Sequence, residues 1–209
     1  MLRLDEDLSG FYALIEDDPE LGWATRGAGR LLRSPTVFED VVKTICTTNC
    51  AWSGTIRMVG SLVAKLGDGA FPSPEVMAAA NESFYRDVAR AGYRAAYLRS
   101  LAASVAAGTI DLEQLNDPEL SDDEAAQRLL ALPGVGPYAT AHVMMLVGRY
   151  SPLILDSWTR PKYARLTGRR TVSDRTIERR FRRYGKHAGL AFWLYLTRDW
   201  VEDSEPAPL

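Results

Sequence analysis

The chain has 209 residues, 46% hydrophobic and 25% charged, enough to bury the core of one compact domain or two intimately packed lobes without covalent staples. Its two cysteines, Cys46 and Cys50, exclude a disulfide framework and are too few for a four-cysteine iron–sulfur or zinc site. With 27 acidic and 25 basic side chains the formal charge is −2, which taken alone argues against a polyanionic partner. The amino terminus, MLRLDEDLSG, is acidic where a secretion signal is basic and has no apolar core. No stretch approaches ~18 apolar residues, so a soluble, reducing, cytoplasmic setting without a membrane partner is expected.

Helical periodicity dominates, and no run of alternating residues reads as a strand, so the class is all-α. A first helix is expected over Leu4–Ile15, then an irregular Gly-rich stretch from Gly22 to Arg33. Pro35 opens a longer apolar helix carrying Val37, Phe38, Val41, Val42 and Ile45, which the polar patch Thr47-Thr48-Asn49 interrupts. A helix from Trp52 to Leu66 ends at Gly67, and Ser73-Pro74 restarts a short one with serine as cap and proline at the first helical position. Further helices are expected at Glu82–Ala91, Ala95–Ala107 and Ser121–Leu132, the last opening on the capping-box spacing of Ser121 and Glu124. Tyr138–Val147 is apolar nearly all round and should be a buried central helix. Ser173 caps a helix over Asp174–Tyr184, Gly189–Trp200 forms a last aromatic-rich one, and Glu202–Leu209 frays.

Charge is distributed unevenly. Between Ser157 and Leu190 stand eleven basic residues and two acidic ones, a net +9, whereas acids collect in Asp5–Glu20 and Asp111–Glu124. A chain so polarised can present one basic face to a polyanion, or that segment can be a solvated arginine-rich helix face.

The sharpest local signal is Leu132-Pro133-Gly134-Val135-Gly136-Pro137 between two helices. Two glycines let the chain turn tightly and expose consecutive amides near the positive end of the next helix, where an anionic phosphate fits. A plain helix–turn–helix connection would use glycines too. Eighteen residues after Tyr138 comes Asp156, followed by Ser157-Trp158-Thr159. Aspartate there suits a helix N-cap, and it also suits a catalytic carboxylate.

LPGVGPYATAHVMM followed by PLILDSWTR resembles the helix-hairpin-helix and Gly/Pro-rich loop with downstream aspartate (HhH-GPD) of base-excision DNA glycosylases. Within that superfamily RLLRSPTVFEDVVKTICTTN, AGYRAAYLRSLAASV and HAGLAFWLYLTRDW are similar to segments of the helical core of 8-oxoguanine DNA glycosylases, without the mixed α/β domain that precedes it in the eukaryotic members. The resemblance implies a two-lobed helical fold, with residues 1–34 and 132–209 in one lobe and 35–131 inserted as the other. It implies an enzyme that hydrolyses the N-glycosidic bond of a damaged base in double-stranded DNA. An oxidised purine such as 8-oxoguanine comes first and an alkylated purine second. A noncatalytic DNA-binding module built on the same hairpin is the alternative, and a monomer is expected.

By the same resemblance Asp156 is the catalytic carboxylate, and the amides of Gly134, Val135 and Gly136 grip a DNA phosphate, with a monovalent cation on the Leu132 and Gly134 carbonyls. The position that holds a Schiff-base lysine in bifunctional members holds Tyr138, whose phenol cannot form an imine, so a monofunctional hydrolase is expected. Lys162 could replace that lysine only if the fold brought it inward; otherwise it belongs to the solvated basic face. His142, Phe192, Trp193 and Leu196 are candidate walls of the base pocket, although aromatics at helical spacing also build cores and His142 could be a satisfied core histidine. Phe192 stands where the 8-oxoguanine enzymes carry a base-reading glutamine. Asn49 is a candidate to fill the gap left by a flipped base, or an ordinary helix end cap. Arg94 and Arg160 are candidates for phosphate contacts or internal ion pairs. Cys46 and Cys50, one helical turn apart, read as buried structural thiols, and no iron–sulfur cluster or required cofactor is expected.

Overall fold

The computed structural model describes residues 3–4 and 6–202, excepting the side chains of the last two. Ten α-helices form among them: α1 (Ser9–Ile15), α2 (Val37–Thr47), α3 (Trp52–Lys65), α4 (Pro74–Ala79), α5 (Arg94–Ala106), α6 (Asp122–Leu130), α7 (Pro137–Leu146), α8 (Thr159–Leu166), α9 (Asp174–Phe181) and α10 (Ala188–Glu202). Short 3-10 turns occupy Gly22–Arg26, Glu113–Asn116 and Arg182–His187, and no strand forms among the described residues. None of the described helices is long and apolar enough to cross a membrane.

The chain divides into two compact units, Met1–Leu32 with Met144–Leu209, and Arg33–Val143, the division falling inside α7. The hairpin, expected in the terminal lobe, thus groups with the inserted unit. The reason is its seat on α5: a Cβ added at Gly134 would meet Tyr97 Cδ2 at 2.6 Å.

In the unit Arg33–Val143, α2 starts where polar groups meet its first amides. Thr36 Oγ1 accepts from the Glu39 amide at 3.2 Å, and the Glu113 carboxylate accepts from the Val37 amide at 2.7 Å. The apolar face of α2 buries Phe38, Val41, Val42, Ile45 and Cys46, and the helix packs on α3 and α5, with α4 also on α5. Each such side chain, fully buried, contributes about 1.5–3 kcal/mol. The capping box of α6 is formed reciprocally by Ser121 and Glu124. Along α7, Tyr138, His142 and Leu146 make a half-buried stripe at four-residue spacing, while Ala139, Ala141, Val143, Met144 and Met145 are buried.

In the unit Met1–Leu32 with Met144–Leu209, α10 packs on α8 and α9 around an aromatic core. Phe181 and Phe192 meet edge-on at 5.1 Å between ring centroids, with Tyr163 and Tyr195 within 6.2 Å of them. The amino-terminal segment is tied down by Arg30, which donates to the Arg3 and Glu6 carbonyls, and by Tyr150, whose hydroxyl donates to Glu6 at 2.6 Å.

Several elements differ from the sequence expectation. The first helix begins at Ser9 rather than Leu4, because Asp7 takes the Ser9 amide at 2.8 Å and sets up a local turn; Asp5 of that segment lies outside the described residues. The expected helix Glu82–Ala91 contracts to one π turn, Phe84–Val88. Asn81 accepts from the Phe84 amide, and Arg90 and Gly92 turn left-handed at φ +54° and +59°. The last-but-one helix stops at Phe181, and Gly185 at φ +53°, ψ −127° breaks the turn that follows. Helix α8 follows the aspartate that the sequence allowed as an N-cap, although no bounds were expected for it; Pro161 is tolerated in its first turn, where the missing amide is not needed. Residues 203–209, where fraying is expected, lie outside the described residues.

Candidate active site

The hairpin Leu132–Tyr138 turns at Gly134, whose φ of +78° and contact with Tyr97 leave no room for a side chain. The Val135 amide, expected to face a phosphate, is instead engaged inside the turn by the Leu132 carbonyl at 3.2 Å. The amides of Gly134 and Gly136 make no hydrogen bond among the described residues and stand beside the N-terminus of α7. Two donors and the positive end of a helix are therefore presented together. Tyr138 follows one residue into α7, half-buried, with its hydroxyl 3.1 Å from Thr47 Oγ1 and its ring 5.6 Å from that of His142.

Also in this unit, the end of α2 is held by Arg94. Its guanidinium donates to the Thr48 carbonyl, to Thr48 Oγ1 at 3.2 Å and to the Ala91 carbonyl at 3.3 Å. Arg94 is 6% exposed and covers the Tyr93 ring at 4.5 Å. A charge so enclosed caps the negative end of α2 and is not a phosphate contact, which corrects the first expectation for it. Asn49 sits exposed just beyond, left-handed at φ +46°, with Nδ2 donating to the Tyr93 hydroxyl at 3.2 Å. Hydrogen bonds, that from Thr48 foremost, lower the Tyr93 phenol below its usual range. Cys46 is buried and its thiol is pushed up to about 12 by burial. Cys50 is exposed rather than buried, its thiol donating to the Cys46 carbonyl at 3.1 Å, because α2 has already ended.

In the other unit, Asp156 leads into α8. Its Oδ1 accepts from the amides of Trp158 at 2.8 Å and Thr159 at 2.6 Å, its own amide donates to Thr159 Oγ1 at 2.8 Å, and its carbonyl accepts from the Arg160 amide. That is a cap made reciprocally by backbone and side chain. One carboxylate oxygen is thereby fixed, and Oδ2 has no hydrogen-bond partner among the described residues. The residue is half-buried, so the remaining oxygen is oriented without being sealed.

Beside this cap lies an aromatic cluster that the sequence did not single out as a group. The rings of Trp158, Trp193 and Trp200 lie 5.8–6.1 Å apart by centroid, with Trp158 40% and Trp200 54% exposed. The signal was present in the i, i+7 spacing of Trp193 and Trp200 on α10, which puts both on one face. Two expected pocket walls drop out all the same: Phe192 and Leu196, at 1% and 0% exposure, are buried in the core. Only Trp193 of the three residues expected from α10 stays half-buried.

Arg160, expected to touch DNA or pair internally, takes the second course, in a forked bridge to Asp174 at 2.7 and 2.9 Å. Lys162, expected on the solvated face, is turned inward, 8% exposed, with its ammonium on the Asp199 carboxylate. That contact holds Asp199 below the usual carboxylate range. Among the described residues no group of three or more His, Cys, Asp or Glu could hold a metal ion.

No protein-family profile matches the chain. Over 81 residues, 39% of its length, it is 28% identical to YfjP of Bacillus subtilis (strain 168), named as a proposed DNA-3-methyladenine glycosylase; the match spans 28% of that protein. Solved structures match more extensively. MBOgg1 in complex with a low-affinity DNA ligand superposes at a TM-score of 0.76 with 25% identity, over 95% of this chain and 72% of that one. The 8-oxoguanine glycosylase/lyase of Clostridium acetobutylicum in its apo form gives 0.75 and 25%, over 93% and 72%. The Schizosaccharomyces pombe 3-methyladenine DNA glycosylase Mag1, bound to abasic DNA, gives 0.70 over 98% and 96% at 17% identity, a likeness of fold. An all-α chain with a glycine hairpin opening one helix and an aspartate capping the next, set among these neighbours, has the HhH-GPD fold of DNA glycosylases.

Proposed function

We propose that the protein is a DNA glycosylase of base-excision repair, which hydrolyses the N-glycosidic bond of a damaged purine in double-stranded DNA. The observation that carries this reading is the division of labour in the Asp156 carboxylate, with Oδ1 fixed by two amides and Oδ2 left over. In this reaction the bond from C1′ to the base nitrogen breaks, and positive charge develops on the sugar. A carboxylate oxygen held at fixed orientation stabilises that charge and aligns the attacking water, whose oxygen bonds to C1′ as the base leaves with a proton. The Gly134 and Gly136 amides would hold a backbone phosphate while the base is extruded. Neutral carbonyls suit a monovalent cation at Leu132 and Gly134; that of Leu132 keeps a lone pair beyond its bond to Val135.

Base release without strand scission follows from the side chains available. Tyr138 cannot form an imine, and the Lys162 amine is engaged by Asp199. Oxidised purines such as 8-oxoguanine are the first substrate class, supported by the neighbours at 25% identity. Alkylated purines are the second, supported by the partly exposed Trp158–Trp193–Trp200 cluster, whose electron-rich faces suit a base carrying positive charge. Duplexes each carrying one lesion, with abasic sites and strand breaks scored separately, decide between them. Asp156→Asn should lower base release by about 10²-fold or more while duplex affinity holds. Equal release by the two proteins would mean a noncatalytic DNA-binding module.

A further inference from the structure

Of the eleven basic side chains between Ser157 and Leu190, four are engaged inside their own unit: Arg160 by Asp174, Lys162 by Asp199, Arg180 by Glu20 and Arg183 by Asp18. The other seven are exposed and make no ion pair among the described residues, and Glu178 is the one acid of the segment left among them. Arg175, Arg179 and Arg182 follow one another at i, i+4 and i+7 along α9 and into the next turn, so their charges repeat about every 5–6 Å on one face. Beside them opens a cleft of about 510 Å³, lined by Arg169, Arg179, Thr167 and Thr176. Arg180 is fixed within it by the Glu20 carboxylate, the Tyr163 hydroxyl at 3.3 Å and the Tyr195 ring at 4.6 Å. Three guanidinium groups against one carboxylate leave the cleft cationic.

We infer that this cleft is a second phosphate site, which holds the DNA backbone outside the lesion. The inference rests on the reading that the protein acts on DNA. Guanidinium groups recognise phosphate oxygens through paired N–H donors, and a row of regularly repeated charges suits a polymer of phosphates better than a single small anion. The tyrosines of the cleft are buried, 3% and 2% exposed, so they offer no face on which a base could stack. The cleft lies at the C-terminal end of α8, whereas Asp156 caps the N-terminal end, with about 12 Å of helix between them. Phosphates bound there contribute to affinity and to the search along undamaged duplex, and take no part in the chemistry at the sugar.

The test compares wild type with Arg169→Ala/Arg179→Ala on labelled undamaged duplexes, one confined to a lesion-sized footprint and one extended by a helical turn on each side, titrated with NaCl. On the longer duplex the variant should bind several-fold more weakly, and its slope of log Kobs against log salt should be shallower by about 1–2, at about 0.9 per phosphate lost. On a third duplex, of the short footprint but carrying a lesion, base release at saturation should be unchanged. Arg169→Lys/Arg179→Lys should restore the slope, since counterion release follows charge. An unchanged slope overturns the inference. So does an equal loss in Lys65→Ala/Arg128→Ala, which removes the same charge elsewhere, and so does an equal loss on the short duplex. Wild type that fails to bind duplex at all overturns the DNA reading itself, a result distinct from the other three.

Discussion

Gly134→Ala is the substitution for which the structure sets the size of the effect. At φ +78° an alanine occupies the left-handed region, which costs about 1–2 kcal/mol. Its Cβ would stand 2.6, 2.8 and 3.0 Å from Cδ2, Cγ and Cβ of Tyr97. Those atoms lie at the root of a side chain on α5, so relief requires the helix itself to move, an overpacking cost of about 1–3 kcal/mol. Together the two effects predict about 2–5 kcal/mol, and at about 2–4 °C per kcal/mol for a chain of this size a Tm lower by roughly 4–20 °C. Urea denaturation of wild type, Gly134→Ala, Tyr97→Ala and the double variant separates the contributions. Removing the ring relieves the clash and leaves the backbone strain, so the cycle should show a coupling of about 1 kcal/mol or more. A Gly134→Ala protein within about 0.5 kcal/mol of wild type would refute the close seating of the hairpin on α5.

Phe192→Gln, which installs the glutamine of the 8-oxoguanine enzymes, should destabilise by about 3–5 kcal/mol and give no new base discrimination, since the position is buried between Phe181 and Tyr163; a selective gain on 8-oxoguanine duplexes would contradict this. Arg94→Lys keeps the charge but loses the fork that holds Thr48, so urea denaturation should register a loss of about 1.5–3 kcal/mol. His187 lies against the Phe11 and Tyr150 rings, with Lys186 and Glu6 as the charges that act on it, and burial holds it below its ordinary value of 6.5. The folded state therefore binds fewer protons there than the unfolded one. Its contribution is intact above the ordinary histidine range and is lost as pH falls through it. Thermal melts from pH 8 to pH 5 should show a Tm decline that flattens in His187→Phe.

Where a local motif carries its own chemistry, the sequence was sufficient. Ser73-Pro74 and the Ser121–Glu124 box start helices where their spacing predicts, and the two glycines mark the turn before α7. The cap made by Asp156 was legible for the same reason, because aspartate competes for amides two and three residues ahead. Partnerships across the fold were not legible. The pairing of Lys162 with Asp199 spans 37 residues, and nothing local to Lys162 separates a buried ammonium from a solvated one. Helix α10 shows the same limit at finer scale. It is apolar on several faces, so periodicity alone could not decide which of Phe192, Trp193, Leu196 and Trp200 would be buried.

The tryptophan cluster also makes the protein a reporter on itself. Three of its five indoles are gathered where α8 meets α10, close enough to couple electronically, and one of them, Trp158, stands two residues after Asp156 and donates its amide to that cap. Intrinsic fluorescence and near-ultraviolet circular dichroism will therefore be weighted toward the unit that carries the carboxylate. An incoming purine that stacks there would quench the emission directly, so occupancy can be followed on unlabelled protein with any lesion.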